Sequence, residues 1–481
     1  MTTPAPAGSF AERAEHALGD SHLRAALDRA TDQLGSRRTS AFLTLDHADL
    51  VRDAARDARM RALRTLAEHL EQFEAKLAAA GATVHWAETP EDANRLVADI
   101  AAQTGVTRVV KSKSMVTEET HLNAALERAG LVVVETDLGE YIVQLGNDRP
   151  SHIIAPIIHL TRQDVGQLMH RRLHVPYTDD AKALAATARV RLREEFLSAD
   201  MGLSGANFGV AQTGTICLVT NEGNGRMVTT LPRVHVVVMG IEKLIPSMAD
   251  LDRCLKVLAR SGTGQKLTVY TTMIHGPRRA HEEDGPQELH VILLDNGRSR
   301  ILAGETAEIL GCIRCGACLN ACPVYRNIGG HAYGDTYPGP VGAVVTPGLR
   351  GLGPWSELPG ASTLCGACRE VCPVRLDIPR MLLALRHDVA AHLPAAGSWR
   401  LAMRLFAWAA SRPALYRRGA RLVRWRLRAL AKDGWIARAP GPAARWTRYR
   451  DLKAPAAETF QDRWRARTAR GPARGAGRGA A

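Results

Sequence analysis

The sequence predicts an α/β domain, followed by a small cysteine-rich helical domain and a basic helical C-terminal region. Three observations support this order. Short β-rich runs alternate with helical stretches in the first two thirds of the chain, and seven of the nine cysteines fall between Cys312 and Cys372. Residues 391–481 contain 21 Lys and Arg against 4 Asp and Glu, a net charge of +17, so the first 390 residues sum to −3 of the total +14. A chain of 481 residues has room for several domains.

Four regions are expected along the chain. They are an N-terminal helical region (1–70), an α/β domain (71–304), a cysteine-rich domain (305–390) and a basic, tryptophan-rich region (391–481). The start of the chain is predicted to be helical because apolar residues recur at three- and four-residue steps, as at Leu63, Leu66, Leu70 and Phe73.

The alternation in the α/β domain predicts a mainly parallel sheet with covering helices. The first predicted strands are Thr83–Trp86, Thr107–Val110 and Leu131–Glu135, with helices Pro90–Thr104 and Val116–Ala129 between them. The later runs, whose closer spacing also allows antiparallel pairs, are Thr215–Thr220, Arg233–Met239, Leu267–Thr272 and Glu288–Leu294. After this domain we expect a helix at Ile301–Gly311, and we expect the Gly- and Pro-rich stretch Gly329–Gly360 to form a loop or lid without a core of its own.

The cysteines follow a spacing that is specific for iron–sulfur clusters. The first run is Cys312-x-x-Cys315-x-x-Cys318-x-x-x-Cys322-Pro323, and the second is Cys365-x-x-Cys368-x-x-x-Cys372-Pro373. In this pattern three closely spaced thiolates hold one cluster and the fourth reaches another. Zinc sites use two CxxC pairs or mixed Cys and His ligands, and disulfides are typical of small secreted chains. The sequence therefore favours iron–sulfur over both.

The crossover rule sorts the ligands into two sets. Cluster 1 takes Cys312, Cys315, Cys318 and Cys372, and cluster 2 takes Cys322, Cys365 and Cys368. Cluster 2 lacks one thiolate, because the expected position holds Ser362. Two alternatives follow: a [4Fe–4S] cluster with a serine or solvent oxygen at one iron, or a [3Fe–4S] cluster. The remaining cysteines, Cys217 and Cys254, lie in apolar segments and are predicted to be small buried hydrophobic residues.

No secretory signal is visible at the N-terminus, and no run of eighteen apolar residues predicts a membrane span. Thiolate clusters without an export signal indicate the reducing cytoplasm. The C-terminal region combines tryptophans with many arginines, as in Trp399–Ala431, and a basic amphipathic helix of this kind suits an anionic lipid surface or an acidic partner. Simple capping of the cluster domain is the alternative, and nucleic acid is a weaker one. The end, Arg467–Ala481, is expected to be disordered.

Three polar segments follow predicted strands, where open α/β sheets bind ligands. They are Lys111–Met115, Glu135–Glu140 and Gly205–Arg226. Lys111, Lys113 and Arg226 are the candidate ligands for an anionic group such as a carboxylate. His152 and His159 are interpreted as ordinary core or surface histidines rather than proton acceptors. Ser261–Lys266 lacks the Gly-Lys-Ser/Thr ending of a phosphate loop, and no G-x-G-x-x-G motif follows a strand to indicate a nicotinamide or flavin site.

Several of these segments together resemble the lactate utilization protein B family. The similarity covers most of the chain and includes the second cysteine run with its missing first cysteine. The other segments that carry it are Lys111–Glu119, Glu135–Gln144, Arg149–His159, Gly209–Arg226 and Trp446–Trp464.

The resemblance implies a LUD-type α/β domain of the sugar-isomerase (NagB) and CoA-transferase kind, two [4Fe–4S] clusters and a complex with lactate utilization proteins A and C. It implies an oxidoreductase complex that converts L-lactate to pyruvate. Because the sequence shows no flavin or nicotinamide site, we expect the electron acceptor to lie outside this chain, with a quinone-linked acceptor as one candidate. A location on the inner face of the membrane would suit that acceptor. Two alternatives stay open: an electron-carrier and scaffold subunit whose substrate site lies on a partner, and oxidation of another 2-hydroxy acid such as glycolate.

Overall fold

The computed structural model describes residues 8–392, 397–448 and 450–469. Of the stretch expected to be disordered, residues 467–469 form the end of a helix, and positions 470–481 lie outside the described residues. Contacts within the chain divide it into two compact units, Met1–Leu393 and Pro394–Ala481. The first unit contains both the α/β region and the cysteine-rich region.

The first unit begins with helices, as the apolar spacing predicts. They are α1 (Phe10–Gly19), α2 (Ser21–Leu43), α3 (Ala48–Arg64) and α4 (Leu66–Ala79). Arg59 on α3 is fully buried, and its guanidinium donates to the carbonyl oxygens of Leu244, Leu310 and Gly311. The N-terminal helices therefore pack against the α/β region and against the segment that leads into the first cysteine run.

A six-stranded parallel sheet forms the centre of the first unit, in the order β1-β10-β7-β4-β2-β3. Its strands are β1 (Thr83–Ala87), β2 (Arg108–Lys111), β3 (Val132–Glu135), β4 (Met201–Ser204), β7 (Val234–Gly240) and β10 (Glu288–Leu294). The predicted mainly parallel sheet is thus confirmed, although sequence periodicity did not reveal β4. That strand has only four residues, and a Cβ at Gly202 would lie 1.9 Å from the Val228 carbonyl oxygen. Glycine is needed there for close packing, and it weakens the strand signal.

A second, four-stranded sheet has the order β8-β5-β6-β9 and includes antiparallel pairs. Its strands are β5 (Phe208–Val210), β6 (Thr215–Thr220), β8 (Leu244–Ile245) and β9 (Tyr270–Ile274). The helices of the α/β region are α5 (Pro90–Gln103), α6 (Met115–Glu119), α7 (Leu122–Arg128), α8 (Leu138–Gly146), α9 (Arg162–Leu173), α10 (Ala181–Ser198), α11 (Asn224–Thr230) and α12 (Met248–Gly262). The single helix expected at Val116–Ala129 is divided, because His121 adopts a left-handed conformation with φ 54°.

The cysteine-rich region is built from short helices. They are α13 (Arg298–Leu302), α14 (Ala317–Ala321), α15 (Tyr325–Ile328), α16 (Gly339–Arg350), α17 (Ala367–Val371) and α18 (Ile378–His392), with 3-10 turns at Ala307–Gly311, His331–Tyr333 and Leu358–Gly360. The prediction of a helix at Ile301–Gly311 is wrong, because α13 ends at Leu302 and only a 3-10 turn follows Gly304.

The prediction that Gly329–Gly360 forms a lid without a core is also wrong. This stretch contains α16, which is buried almost throughout and places Val341, Val344 and Val345 in the core beside the cysteines. A Cβ at Gly342 would lie 1.6 Å from the Tyr337 carbonyl oxygen, so glycine permits the close approach of backbone. The small residues of this stretch therefore allow α16 to pack tightly against its neighbours.

The second unit contains α19 (Gly397–Ala410), α20 (Pro413–Leu430), the short antiparallel pair β11 (Trp435–Ile436) and β12 (Leu452–Lys453), a 3-10 segment at Gly441–Arg448, and α21 (Phe460–Ala469). None of the described side chains on α19 and α20 is buried. Trp408, Phe406 and Trp425 are each more than half exposed. Within the described residues, no helix is both long and apolar enough to cross a membrane.

Candidate functional site

The two cysteine runs adopt the same local backbone. In each, a cysteine lies between two residues with positive φ: Arg314 (57°) and Gly316 (75°) around Cys315, and Leu364 (55°) and Gly366 (85°) around Cys365. Each of these segments leads directly into a short helix, α14 or α17, and the two helices pack against each other. The repeat in spacing is therefore also a repeat in conformation, and it brings the two runs face to face.

Four of the cysteines surround one small apolar cavity. Cys312, Cys315, Cys318 and Cys372 line it together with hydrophobic residues such as Ile153. Burial raises the pKa of the Cys318 thiol, and the proximity of Cys312, Cys315 and Cys372 raises it further. Sulfur atoms this close repel one another as thiolates, and a cationic metal centre between them removes that repulsion.

The other three cysteines form a second group. Burial, the neighbouring Cys322 and the more distant Cys365 raise the pKa of Cys368 to about 12. Cys365 itself is exposed, so this group reaches the protein surface. Ser362 lies two residues before Leu364, and its hydroxyl accepts a hydrogen bond from the Leu364 N–H at 3.1 Å.

This donor set fits iron–sulfur clusters. Soft thiolates in an apolar enclosure are the ligands that such clusters use, and backbone N–H groups that point at the sulfurs tune their potentials. Here the N–H of Arg314 donates to Cys312 Sγ and the N–H of Leu376 donates to Cys372 Sγ, both at 3.4 Å. The two remaining cysteines, Cys217 and Cys254, are fully buried among apolar residues, which confirms the prediction made for them.

A cavity of about 300 Å³ adjoins the first cysteine group. Its walls follow the carboxyl ends of three parallel strands: Ser112–Val116 after β2, Gly205–Asn207 after β4, and Lys243 after β7. Asp137 and the segment around Glu222 complete the polar wall. The three polar segments predicted to meet therefore do line one cavity, at the position where open α/β sheets bind ligands.

The cysteine-rich region closes the same cavity. Arg314, Cys315 and Tyr337 all contribute to its wall, so the first cysteine group borders the polar space directly. The Arg314 guanidinium lies 4.7 Å from the centre of the Tyr337 ring and 3.7 Å from a Glu242 carboxylate oxygen. Arg314 sits inside the first cysteine run, yet the cysteine spacing alone gave no sign of its role.

Positive groups dominate one side of the cavity. Lys113 Nζ and the Nε and Nη1 atoms of Arg314 are buried, and they have no hydrogen-bond partner among the described residues. The nearest carboxylate to Lys113 is Glu140, at 3.5 Å. Burial outweighs the Lys113 charge and raises the pKa of Glu140 to about 8, so this carboxyl is largely protonated at neutral pH and leaves Lys113 uncompensated. Lys243 lies on the same wall; burial and the Arg314 charge lower its pKa to about 8.

The other two predicted substrate residues lie elsewhere. Lys111 is the last residue of β2, and its ammonium is fully buried against Glu135 at 2.6 Å and Glu118 at 3.1 Å. Burial lowers the pKa of Lys111, but these two carboxylates outweigh burial and raise it. Arg226 is exposed on α11 and does not line the cavity. Of the three lysine and arginine candidates, the structure therefore brings only Lys113 to the cavity.

Two carboxyl groups, those of Glu222 and Asp137, also line the cavity. Glu222 accepts a hydrogen bond from the Leu138 N–H at 3.1 Å, and Asp137 caps the same helix. Burial and the neighbouring Asp137 charge raise the pKa of Glu222 to about 7. Glu222 is thus a titratable group in the neutral range within the polar wall.

His152 is a structural residue, as predicted. It is fully buried, its Nδ1 accepts from the N–H groups of Ile154 and Ala155, and its Nε2 lies 3.2 Å from Asn320 Oδ1. Burial and the Lys113 charge lower its pKa to about 3, so the imidazole is neutral. It holds the Ile153–Ile154 cavity wall against α14.

Comparisons with known proteins agree along almost the whole chain. Three family models match: the LUD domain at residues 70–294, the 4Fe-4S dicluster domain at 308–376, and the C-terminal domain of lactate utilisation protein B at 392–469. Lactate utilization protein B of Shouchella clausii is 44% identical over 96% of this chain and 98% of its own length. The Bacillus subtilis protein of that name is 41% identical over 94% and 95%. The chain belongs to the lactate utilization protein B family.

The family extends beyond proteins with that name. An uncharacterized electron transport protein of Escherichia coli, YkgF, is 42% identical over 94% of this chain and 95% of its own. Among solved structures, a DUF162 family protein from Deinococcus radiodurans aligns with 48% of this chain and 98% of its own at 16% identity. Its TM-score of 0.28 carries no structural argument. Membership of the family therefore rests on sequence.

Proposed function

We propose that this chain is the iron–sulfur electron-transfer subunit of an NAD-independent complex that oxidises L-lactate to pyruvate. One observation carries the proposal: a cavity lined by Lys113 and Arg314, whose buried Nζ, Nε and Nη1 atoms have no hydrogen-bond partner among the described residues, is bordered by Cys315 of the first cysteine group. A small 2-hydroxy acid brings a carboxylate for the cations, and its oxidation to the keto acid releases two electrons beside the cysteines and two protons, one from the hydroxyl and one from the hydroxyl carbon. The names of the relatives supply lactate as the substrate.

The proposed ligand sets are those of the sequence analysis. Cluster 1 is held by Cys312, Cys315, Cys318 and Cys372, and cluster 2 by Cys322, Cys365 and Cys368 with Ser362 or solvent at the fourth position. Such clusters accept and release single electrons. Cys315 lies at the cavity wall and Cys365 at the protein surface, so the two sites lead from the substrate space outward. Lactate utilization proteins A and C and a quinone-linked acceptor are the proposed partners, and the α/β domain is proposed to be of the sugar-isomerase and CoA-transferase type.

The residues of the cavity have distinct proposed tasks. Lys113 and Arg314 bind and orient the substrate carboxylate, because charge-assisted hydrogen bonds to both oxygens fix its position. Ile153 and Leu258 contribute apolar wall on the same cavity, which limits water around the substrate. Glu222 lies within the same space and is placed to hold a proton from the substrate hydroxyl.

The proposal is tested with the isolated chain, reconstituted anaerobically with iron and sulfide. We expect L-lactate to bleach the visible absorbance of the clusters and to produce an EPR signal, whereas D-lactate and glycolate do so more weakly. Bleaching that requires added partner proteins would favour the second candidate, an electron-carrier and scaffold subunit with the substrate site on a partner. A stronger response to glycolate would favour another 2-hydroxy acid as substrate.

Replacement of Lys113 should weaken substrate binding. One charge-assisted hydrogen bond contributes about 1.5–3 kcal/mol, so Lys113→Gln is expected to weaken L-lactate binding by about 10- to 100-fold. Equilibrium dialysis of the reconstituted chain with labelled L-lactate measures this effect. Arg226→Gln is the matched control, because it removes an exposed cation outside the cavity and should leave binding unchanged. Equal affinities in wild type and Lys113→Gln would place the substrate elsewhere.

Glu222 should make substrate binding depend on pH. Its pKa of about 7 means that the carboxyl becomes negatively charged as the pH rises from 6 to 8. Since the substrate is an anion, the affinity for L-lactate should fall a few fold over this range. Glu222→Gln should flatten the decrease between pH 6 and pH 7.5, where Lys243 still keeps its charge. A wild-type profile with no slope there, or an unchanged slope in Glu222→Gln, would contradict this assignment.

The second unit is proposed to rest on an anionic membrane surface. Its exposed tryptophans and arginines combine apolar contact with positive charge, and each Lys or Arg near such a surface contributes about 1 kcal/mol. The full chain should cosediment with phosphatidylglycerol vesicles at low salt and much less with phosphatidylcholine vesicles. Trp425→Ser should reduce this binding, whereas Trp86→Ser, which removes a comparably exposed tryptophan from β1, should not. Equal binding to both lipids would contradict this proposal and would favour capping of the cluster domain or binding of an acidic partner protein.

A further inference from the structure

A second polar cluster lies outside the cavity described above. Asp148 follows the end of α8, His159 precedes α9, and His331 begins the 3-10 turn after α15. Asp148 and His159 belong to the α/β region, whereas His331 belongs to the cysteine-rich region and lies 172 residues after His159. Their meeting therefore depends on the way in which the two regions pack within the first unit.

The three side chains converge on the Asp148 carboxylate. His159 Nε2 lies 2.8 Å from Oδ2, and His331 Nε2 lies 3.9 Å from Oδ1. The two imidazole rings are 4.7 Å apart at their centres, and one ligand atom from each of the three residues lies within 4.8 Å of the others. Ligand atoms held at about 2.0–2.2 Å by a tetrahedral ion are about 3.3–3.6 Å apart. The observed distances fall on either side of that separation, so small side-chain rotations suffice.

The surroundings suit a bound cation. The His159 side chain is only 9% exposed, and its Nδ1 has no hydrogen-bond partner within the described part of the chain. The Asp148 carboxylate accepts a hydrogen bond from the Arg149 N–H at 2.7 Å and lies 2.8 Å from His159 Nε2, so its two oxygens are held toward the cluster. A surface groove of about 480 Å³, lined by both histidines of the cluster and by His22 and Asp164, leads to the site from solvent.

We propose that Asp148, His159 and His331 bind one divalent transition-metal ion, with zinc as the representative of the class. Two imidazoles and one carboxylate are a common ligand set for zinc and for other first-row ions, and they leave a position for water. The ion takes the place of the Nε2 proton between His159 and Asp148, and that proton moves to His159 Nδ1, which has no hydrogen-bond partner among the described residues. His331 likewise carries its proton on Nδ1 and exchanges its 2.7 Å contact with the Arg149 carbonyl for the metal. No electron transfer is involved.

The bound ion would join the two regions of the first unit. Asp148 and His159 flank the segment that carries Ile153 and Ile154 into the cavity wall, and His331 follows the first cysteine run. A metal ion that binds only the folded chain stabilises it in proportion to the logarithm of its concentration. The site is thus independent of the proposed lactate chemistry, and its failure would leave that proposal unchanged.

The test uses the full chain with its clusters reconstituted and its iron content verified, because empty cysteine sites would capture zinc. Zinc binding is measured by equilibrium dialysis with labelled Zn²⁺, and the ligands are identified by zinc K-edge X-ray absorption. We expect one zinc per chain with N and O ligands at about 2.0–2.1 Å, rather than sulfur at about 2.3 Å. His331→Asn and Asp148→Asn should each weaken binding by at least about tenfold.

A matched control is available in the same chain. His290 contacts His85 at 3.1 Å through Nδ1 and Glu288 at 3.2 Å through Nε2, so its partners lie on opposite sides of the ring and do not converge. His290→Asn should leave zinc affinity unchanged. Zinc that is bound only through sulfur, or with the same affinity in wild type, His331→Asn and Asp148→Asn, would overturn the proposal. Retained iron content and circular dichroism would establish that the variants are folded.

Discussion

Replacement of Cys318 by alanine should remove about half of the iron from the reconstituted protein. Cys318 is buried, and Cys312, Cys315 and Cys372 are its thiol neighbours around one apolar cavity. Loss of one of four thiolates leaves an open iron in an apolar enclosure, so we expect this cluster to be lost. Two clusters contain about seven to eight irons, and Cys318→Ala should retain about four or fewer. Iron and sulfide analysis after anaerobic reconstitution gives the count.

Cys217→Ala is the matched control for this experiment. Cys217 is at least as buried as Cys318, but it lies on β6 among apolar residues, where burial raises its pKa to about 12 and keeps the thiol neutral. This variant should therefore keep its full iron content. Unchanged iron in Cys318→Ala, or zinc in place of iron in the wild-type protein, would refute the proposed ligand set.

The same variant also separates the two clusters. If Cys322, Cys365 and Cys368 form an independent site, the iron that remains in Cys318→Ala should give the EPR signal of cluster 2 alone. A [3Fe–4S] cluster is paramagnetic when oxidised, whereas a [4Fe–4S]²⁺ cluster is not, so the oxidised variant distinguishes the alternatives left open by Ser362. Ser362→Cys should then restore the missing thiolate and abolish a [3Fe–4S] signal.

Local spacing was enough to assign the cysteines to two proposed groups, because all the information lies within two short runs. The same was true of most strands, whose β-rich composition marked them within one to three residues. The short strand β4 was not predicted, because Gly202 interrupts its β-rich pattern, although close packing on α11 requires that glycine. The helix α16 was not predicted for a similar reason. Its small residues have the composition of a loop, but in the structure they allow dense packing around the cysteines.

The cavity was predicted in position but only partly in composition. The rule that ligands bind at the carboxyl ends of parallel strands identified Lys113, and the same rule applied to β7 would have identified Lys243. Lys111 was a poor candidate because it is still inside β2, where it lies opposite Glu135 of β3 and is neutralised by it. The presence of Arg314 in the cavity wall depends on the packing of the cysteine-rich region against the sheet. No single-sequence pattern carries that long-range information.

Replacement of Arg298 by methionine should cause the largest loss of stability among the ion-pair variants. Arg298 is 1% exposed and forms two 2.9 Å contacts with the carboxylate of Glu119 and one of 2.5 Å with Glu242. Burial raises the pKa of Glu242, but the charges of Arg298, Lys243 and Arg314 outweigh burial and lower it to about 2. Without Arg298 both buried carboxylates lose their main counter-charge, and breaking such a buried pair costs about 3–5 kcal/mol.

Urea unfolding of the reconstituted protein, followed by far-UV circular dichroism, measures this loss as a lower transition midpoint. Arg95→Met is the control, because its pair with Asp92 is on the surface and contributes about 1 kcal/mol or less. Glu119→Gln combined with Arg298→Met should recover part of the loss, since it removes one uncompensated charge. Glu119 also accepts from the Tyr337 hydroxyl, and Glu242 faces Arg314, so the network supports two residues of the cavity wall. Equal midpoints for Arg298→Met and Arg95→Met would show that the network does not hold the two regions together.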